Sequence, residues 1–440
     1  MNKFVVDTDN ETKYVTLGEY FITDSAIFLF IMRSDFEEPQ VEVINLSADR
    51  LLEYIGAYFN DFGEDGWQDE LAPLVTPLLS YTKEHDIIWI VPHEILHYLP
   101  FHALKIEGRY LIERNPVCYT PSASVMQYCH AQRKHSYGRA LIIGDTLGDL
   151  LYARAEAYNI ATLFATTPYV QEQATKAFVK MLLEQEDDQL DVLHFSCHAY
   201  FDAEHALKSG IVLAVENGAG PGDDEERWNL TAEEILRLRI CANIITLSAC
   251  ETGISKYKTG DELIGLTRAL IYAGTPSVIV SLWPVEALST SLLMQYFYAQ
   301  LRKPPEENNG QPVMKAEALR SAQRYVKDLT ASKVVEYCNL ALDDEHIKEN
   351  VEQVVSLYMG RAYAQTVAGD LAPAMVSYQL AQNLLQTFDE DWAQSLYSQI
   401  SQTLTGLAFK AEDSVQPDYT VRLFEHFYYW APFILVGDWR

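Results

Sequence analysis

Apolar runs that suit buried strands alternate with helix-length segments along most of the chain. Runs that are apolar throughout are typical of parallel strands buried on both faces. We predict such strands at residues 86–92, 140–144, 192–198, 244–248 and 277–282, with further strands at 14–17 and 26–32. Helices are predicted at 51–62, 71–85 and 153–164. This alternation favours an α/β fold with a mostly parallel central sheet.

Residues 331–420 have a different pattern, with long helical periodicity and no predicted strand. Small and aromatic residues recur there with the spacing of a tetratricopeptide helical hairpin, although the turn is two residues longer. They are Gly360, Tyr363, Gly369, Ala374, Tyr378 and Ala381. An ordinary helical hairpin explains the pattern equally well, because a lone repeat cannot bury its own apolar face. The apolar run 427–437 then predicts another strand.

The composition narrows the classes of function. The chain has 440 residues and a net charge of −29, which repels nucleic acid phosphates and anionic membrane surfaces. We therefore expect neither nucleic acid nor a membrane as a direct partner. No N-terminal stretch combines basic residues with a long apolar run, so we expect a cytoplasmic protein. The six cysteines have no CxxC pair or regular spacing, which predicts neither a zinc site nor a disulfide framework.

Two residues with catalytic chemistry follow the ends of predicted strands. His198 closes the run 192–198, and Cys250 comes two residues after the strand 244–248. Functional side chains gather at the carboxyl ends of parallel strands, so neighbouring strands would bring this imidazole and thiol together. A nearby histidine raises the fraction of thiolate, which is the nucleophilic form. For an isolated histidine or cysteine, however, a buried structural role is the better interpretation.

The neighbouring residues favour the catalytic interpretation. Cys250 lies in a turn of small residues, which exposes the sulfur and frees backbone N–H groups to hold an oxyanion. Strand alternation turns Cys197 into the core if His198 faces the site, so Cys197 is a poor alternative nucleophile. His194 is the stronger alternative base. Four further histidines lack the spacing of metal ligands, and we interpret them as structural: His85, His93, His97 and His102.

Several spaced motifs together resemble one known family. They are Ile90-Val91-Pro92, Leu99-Pro100-Phe101-His102-Ala103-Leu104, Pro121-Ser122-Ala123-Ser124, His194-Phe195-Ser196-Cys197-His198, Leu247-Ser248-Ala249-Cys250-Glu251-Thr252-Gly253, Gly260-Asp261-Glu262-Leu263 and Ser281-Leu282-Trp283-Pro284-Val285. In this order they are similar to the CHAT family of caspase-like (clan CD) cysteine peptidases, over roughly residues 18–324 and 428–440. The resemblance implies a caspase-like three-layer fold, a Cys-His dyad and hydrolysis of peptide bonds.

The resemblance also implies a role for each site residue. Cys250 is the nucleophile, His198 is the general base, and the backbone N–H groups of Cys250 and Ala199 hold the oxyanion. Relatives usually have glycine in place of Ala199, which leaves that turn freer to change conformation. No metal and no organic cofactor is expected.

Three residues are candidates for substrate specificity: Asp261, Glu262 and Trp283. Asp261 has a second interpretation, because aspartate after Gly260 also suits the N-cap of an amphipathic helix. Relatives selective for a basic residue often have aspartate where this chain has Ser248, so that route to arginine selectivity is absent.

We predict four parts of the chain. Residues 1–135 form an N-terminal α/β subdomain, 136–330 the caspase-like catalytic subdomain, 331–420 an all-α tetratricopeptide-like insertion, and 421–440 a C-terminal strand that closes the catalytic fold. The insertion departs from the family pattern, in which the closing strand follows soon after the helix that ends near residue 324, and helical repeats usually precede the peptidase.

These inferences predict a cysteine endopeptidase that cleaves specific protein substrates by acyl transfer through the Cys-His dyad. We expect regulation by a signal or by a protein partner on the helical insertion. The Gly-, Pro- and acid-rich loop 216–229 is a candidate site of self-processing. The alternative is a catalytically silent CHAT scaffold with helical repeats that recruits a protein partner.

Overall fold

A computed structural model of the chain describes most of its residues. They are 5–8, 11–60, 66–134, 137–185, 190–200, 202, 205–215, 227–248, 261–308, 310–410 and 416–440. Cys250 lies outside this set, and so does the predicted loop 216–229 as far as residue 226. The last residue of that loop, Asn229, already begins a strand.

The described residues form the following strands and helices. The strands are β1 (Val5–Thr8), β2 (Glu11–Ile22), β3 (Ile27–Met32), β4 (Gln40–Ile44), β5 (Ile87–Val91), β6 (Lys105–Ile106), β7 (Arg109–Tyr110), β8 (Val117–Tyr119), β9 (Ala140–Gly144), β10 (Tyr169–Val170), β11 (Val192–Ser196), β12 (Ala199–Tyr200), β13 (Gly210–Val212), β14 (Asn229–Thr231), β15 (Ile244–Leu247), β16 (Ser277–Ser281) and β17 (Phe433–Gly437). The α-helices are α1 (Ala48–Asn60), α2 (Trp67–Glu70), α3 (Thr76–Leu79), α4 (Leu111–Arg114), α5 (Val125–Gln132), α6 (Leu151–Leu163), α7 (Lys176–Gln185), α8 (Ala232–Ile235), α9 (Asp261–Tyr272), α10 (Ala287–Leu301), α11 (Lys315–Lys327), α12 (Ala331–Asp343), α13 (Glu345–Lys348), α14 (Val351–Val367), α15 (Leu371–Leu385), α16 (Asp391–Lys410) and α17 (Phe427–Trp430).

One twelve-stranded sheet organises the molecule. Its strand order is β10-β9-β11-β15-β16-β17-β8-β5-β2-β3-β4, and β1 pairs with β2. The first five strands in that order are mutually parallel, and β17, β8, β5 and β2 form a second parallel block. The blocks run in opposite directions and meet where β16 pairs antiparallel with β17. The predicted α/β fold with a mostly parallel sheet is therefore confirmed.

Helices cover both faces of this sheet. On one face, His194 of β11 lies 3.1 Å from the hydroxyl of Tyr298 on α10, which in turn donates to Thr246 of β15. Alternate strand residues point to the other face, which is covered by α9. Val280 of β16 lies on that face, where it lines a small cavity together with Thr267 of α9. The result is a layer of helices on each side of the strands, as predicted for a three-layer fold.

The strand predictions hold where an apolar run is buried on both faces, as in β5, β9 and β11. The predicted helix 71–85 is wrong, because Pro73 and Pro77 lack an N–H and divide the segment into a 3-10 turn and the short helix α3. The predicted strand 427–437 begins only at Phe433, because the ring of His426 caps a short helix by accepting from the Tyr428 N–H.

The helices between residues 331 and 410 pack on the α/β part and on one another. Consecutive long helices are neighbours, and α14 and α15 form a hairpin that turns at Gly369, whose φ of +82° favours glycine. From these helices, Val334, Cys338 and Ala364 join the main core. A second cluster joins α14, α15 and α16 to Leu151 of α6.

Both ends of this helical segment lie side by side. The Ala331 N–H donates to the Val421 carbonyl oxygen at 2.9 Å, and the Leu423 N–H donates to the Leu329 carbonyl oxygen at 3.0 Å. The chain thus leaves the α/β part and returns to it at one place. We therefore keep the proposal that this segment is an insertion, with boundaries near 331 and 420. None of the described helices is long and apolar enough to cross a bilayer.

Candidate active site

Three adjacent parallel strands bring polar residues to one edge of the sheet. β11 lies between β9 and β15. Asp149 follows β9, His198 follows β11, and Cys250 follows β15 in the sequence. The Ser248 N–H donates to the Phe195 carbonyl oxygen at 2.8 Å, which holds the ends of β11 and β15 together. Cys250 lies outside the described residues, so its role stays a prediction.

The imidazole of His198 is oriented by a carboxylate that sequence reasoning missed. Its Nε2 lies 3.1 Å from both Oδ1 and Oδ2 of Asp149. A carboxylate can only accept a hydrogen bond, so Nε2 is the protonated nitrogen, and the neutral ring keeps its lone pair on Nδ1. The His198 side chain is 15% exposed and that of Asp149 is 54% exposed. Asp149 therefore holds Nε2, and Nδ1 has no hydrogen-bond partner among the residues that the structure describes.

The loop that carries Asp149 is fixed by the buried carboxylate of Asp145. Asp145 accepts hydrogen bonds from the Leu150 N–H at 2.8 Å and from Arg154 Nε at 2.6 Å. Its own N–H donates to the Ser196 carbonyl oxygen at 2.8 Å, at the end of β11. The loop is therefore tied both to α6 and to the strand that precedes the histidine.

The backbone N–H of Ala199 points away from the strand beside it. Ala199 lies opposite Ile211 in the antiparallel pair of β12 and β13. The Val212 N–H donates to the His198 carbonyl oxygen at 2.9 Å, so Ala199 and Ile211 form a non-hydrogen-bonded pair. In such a pair the N–H groups are directed away from the partner strand.

The two alternative residues considered for this site are buried. His194 contacts Tyr298 through Nδ1 at 3.1 Å and Glu156 Oε1 through Nε2 at 3.0 Å. Cys197 faces the core, and burial raises the pKa of its thiol to about 12. Both therefore have the surroundings of structural residues.

Two of the four histidines interpreted as structural, His93 and His102, have hydrogen-bond partners in the protein. The Nδ1 of His93 accepts from the Ile22 N–H at 3.3 Å, and the buried His102 lies with Nε2 3.1 Å from the Ala431 carbonyl oxygen. Within the described residues, no three His, Cys, Asp or Glu side chains gather into a group that could hold a metal ion.

The structure places the candidate specificity residues as follows. Trp283 is buried, and its Nε1–H donates to the Tyr428 carbonyl oxygen at 3.0 Å. Asp261 and Glu262 begin helix α9, but their side chains lie outside the described part of the chain. A role for these three residues in specificity stays a prediction.

A cleft of about 740 Å³ lies at the same edge of the sheet. The loop of Asp149 and the residues Cys197 and Ser248 line one side of it. The first turns of α16 line the other side, so the helical segment 331–420 contributes to the surroundings of the candidate site.

Comparison with solved structures gives remote likenesses. The chain is 14% identical to separase of Saccharomyces cerevisiae in its complex with securin, with a TM-score of 0.36 over 54% of this chain and 14% of that one. It is 10% identical to the Arg-specific cysteine proteinase gingipain R, with a TM-score of 0.36 over 63% of each chain.

Comparison with other sequences is more informative. Tetratricopeptide repeat protein 28 of Homo sapiens is 26% identical over 266 residues, and that of Mus musculus is 24% identical over 258 residues. These alignments cover 50% and 47% of this chain, which spans about 10% of the length of each relative. The family model of the CHAT domain matches residues 67–438, which is most of the sequence. The chain therefore belongs to the CHAT domain family.

Proposed function

We propose that the protein is a cysteine endopeptidase that cleaves protein substrates by acyl transfer. The observation that carries this proposal is the imidazole of His198, oriented by Asp149 beside the strand that Cys250 follows. A histidine fixed through one nitrogen is suited to act as a general base through the other. Membership of the CHAT domain family supports the same reading.

The proposed reaction begins with proton transfer from the Cys250 thiol to Nδ1 of His198. The thiolate attacks the substrate carbonyl carbon, and the N–H groups of Cys250 and Ala199 stabilise the oxyanion. The imidazolium then protonates the amine as the C–N bond breaks. Water attacks the thioester, His198 accepts a proton from it, and the free acid leaves with the thiolate restored. These steps use only groups of the protein and water.

Asp149 has the role of a positioning residue in this scheme. Its carboxylate fixes the ring orientation and the tautomer, and its negative charge favours the imidazolium that forms during catalysis. It touches the base and not the reacting atoms.

A regulatory protein on the helical segment is part of the proposal. Arg154 on α6 bonds Asp145 in the catalytic loop and also bonds Glu352 on α14 at 2.8 Å. Its guanidinium lies 5.3 Å from the ring centroid of Trp392 on α16. If the loop of Asp149 adopts two conformations, a partner that binds these helices more tightly in one of them would increase the population of that conformation. The size of the shift is set by the difference between the two affinities. We place this activity in the cytoplasm.

The proposed function is tested by a screen for new protein N-termini. Proteins from a lysate are incubated with the wild-type chain, with Cys250→Ala or with His198→Ala, and cut sites are sequenced. We expect cuts that require both residues, and nearly the same loss in either single variant as in the double variant, because the pair acts as a unit.

A thiol-directed peptidyl inhibitor gives a second measurement. It should label the wild-type chain and not Cys250→Ala. If the wild type produces no cuts and takes up no inhibitor while folded, the endopeptidase proposal is wrong and the silent scaffold is the better reading.

A further inference from the structure

The cleft at the catalytic edge has walls from distant parts of the chain. Its catalytic side includes Asp149 and Ser248. Its other side is one face of α16, formed by Trp392, Ser395, Leu396 and Gln399. Steps of three and four residues bring side chains onto the same face of a helix. A substrate held at this edge would therefore meet α16.

The face of α16 that lines the cleft differs from the face that anchors the helix. Ala393, Ile400 and Leu407 recur every seven residues and are buried in the cluster shared with α14 and α15. Ser395 and Gln399 on the cleft side are exposed. The cleft wall can therefore vary in sequence while the helix stays anchored.

The charge of the cleft has one sign. Among the described residues that line it, the charged ones are Asp149, Glu156, Glu390 and Asp391. The first two contact histidines, whereas Glu390 and Asp391 are exposed at the start of α16 and form no ion pair with the described residues. The nearby Arg154 is already bonded to two other carboxylates.

Two buried polar groups in the cleft have no hydrogen-bond partner within the described part of the chain. They are the hydroxyl of Thr290, a residue that is only 2% exposed, and the indole Nε1–H of Trp392. A buried polar group without a partner is unfavourable, and a bound ligand with polar atoms would satisfy it. The Thr290 hydroxyl can accept from a cationic side chain, whereas the Trp392 Nε1–H can only donate and is suited to a backbone carbonyl oxygen of a bound peptide. Together with the acidic lining, these groups suit a peptide that carries a long, positively charged side chain.

We propose that this cleft binds a lysine or arginine side chain of the substrate, close to the bond that is cleaved. The aliphatic stem packs on the ring of Trp392 and on Leu396, and the acidic lining selects the positive charge. This inference rests on the proposed endopeptidase function. It assigns basic selectivity to α16 instead of to the position of Ser248.

The test is the cleavage of a peptide library by the full chain, with each position before the scissile bond varied in turn. We expect one position to prefer lysine or arginine over leucine and glutamate. The double variant Glu390→Gln/Asp391→Asn should lose about tenfold in kcat/KM for basic peptides and keep its rate on leucine peptides, since each exposed ion pair contributes modestly. The matched control is Asp389→Asn, which removes an exposed acid that does not line the cleft.

Charge reversal gives the second arm of the test. Glu390→Lys/Asp391→Lys should move the preference toward glutamate. If peptides are cut in a Cys250-dependent manner without a basic preference, or if that preference survives in both double variants, the inference is wrong and the endopeptidase proposal stands.

A binding measurement tests the selectivity of the cleft independently of catalysis. Arginine and glutamate versions of one peptide are titrated calorimetrically into Cys250→Ala, with and without the change Glu390→Gln/Asp391→Asn. The inference is supported, even if no peptide is cut, when Cys250→Ala binds the arginine peptide more tightly than the glutamate peptide and the added change Glu390→Gln/Asp391→Asn removes that difference. Equal binding of both peptides overturns it.

Discussion

The Nε2–H of His198 points at both carboxylate oxygens of Asp149, each 3.1 Å away, across two neighbouring strands of the sheet. His198, the proposed base, and Asp149, its proposed positioning residue, are thus separated by 49 positions in the chain but brought together by the order of the strands. Because a carboxylate can only accept, this contact assigns the ring proton to Nε2 and, in the neutral ring, the lone pair to Nδ1.

Asp149→Asn should lower kcat by about tenfold and leave KM little changed, because a neutral amide favours the imidazolium less than a carboxylate does. Asp149→Glu should restore part of the loss. Steady-state kinetics on a confirmed peptide substrate check this, with Asp389→Asn as the control. An unchanged kcat in Asp149→Asn would show that the carboxylate does not position the base.

Four buried cysteines should resist alkylation in the folded protein. Burial raises the pKa of Cys129, Cys197 and Cys338 to about 12, and it also raises that of Cys118, so almost no thiolate forms at pH 7. Mass spectrometry after brief iodoacetamide treatment should find these four unlabelled, whereas all six cysteines react in the unfolded chain. Labelling of Cys197 as fast as Cys250 would contradict the placement of Cys197 in the core.

The free energy of unfolding should depend on pH through His102. Burial lowers its pKa to about 3, so the His102 imidazole of the folded protein stays neutral down to that pH. In the unfolded chain the same imidazole takes up a proton below about pH 6.5. Its contribution to stability is complete above pH 6.5 and is lost as the pH falls toward 3, by about 1.4 kcal/mol per pH unit.

Urea unfolding between pH 5.5 and 4.5 measures this slope. His102→Gln should be less stable overall and should show a slope smaller by about 1.4 kcal/mol per pH unit. The control is His346→Gln, which changes an exposed histidine and should keep the wild-type slope. Equal slopes in all three proteins would mean that residue 102 does not carry the dependence.

Two glycines should respond in opposite directions to alanine. At Gly144, an added Cβ would lie 2.5 Å from Cβ of Ala157 on α6, so Gly144→Ala should destabilise the protein by about 1–3 kcal/mol. At Gly56, within α1, an added Cβ meets nothing within 4 Å, so Gly56→Ala should be neutral or stabilise by about 0.5–1 kcal/mol. Thermal unfolding compares the two, and equal effects would contradict the close packing of α6 on β9.

Hydrophobic patterning predicts the type of most strands because a run buried on both faces must be apolar throughout, as in β9 and β11. Patterning does not predict whether neighbouring strands run parallel or antiparallel. The antiparallel pairing of β16 with β17, which reverses the direction of one half of the sheet, depends on a strand that lies about 150 residues later in the sequence. The predicted helix 71–85 is wrong because Pro73 and Pro77, each lacking an N–H, interrupt a segment whose apolar spacing is otherwise helical.

The candidate site, like the fold, is only partly predictable from the sequence. His198 and Cys250 lie immediately beyond apolar runs and in recognisable motifs, so both can be selected from sequence. Asp149 lies five residues past β9, in a polar loop that resembles other loops, and its importance comes only from the position of β9 beside β11. Likewise, nothing in the spacing of α16 indicates that it lines a cleft formed by residues near 148 and 248.

The central position of β17 has a consequence for synthesis. This strand follows every other described strand along the chain, yet it lies between β16 and β8 in the middle of the sheet. On the ribosome, the two parallel halves therefore emerge as separate sheets, each with an unpaired inner edge, and both edges are exposed until residues 433–437 appear. A nascent chain at that stage has the strands of the candidate site but lacks the strand that joins the two halves of the sheet, and it is most prone to wrong strand pairing just before that strand is added.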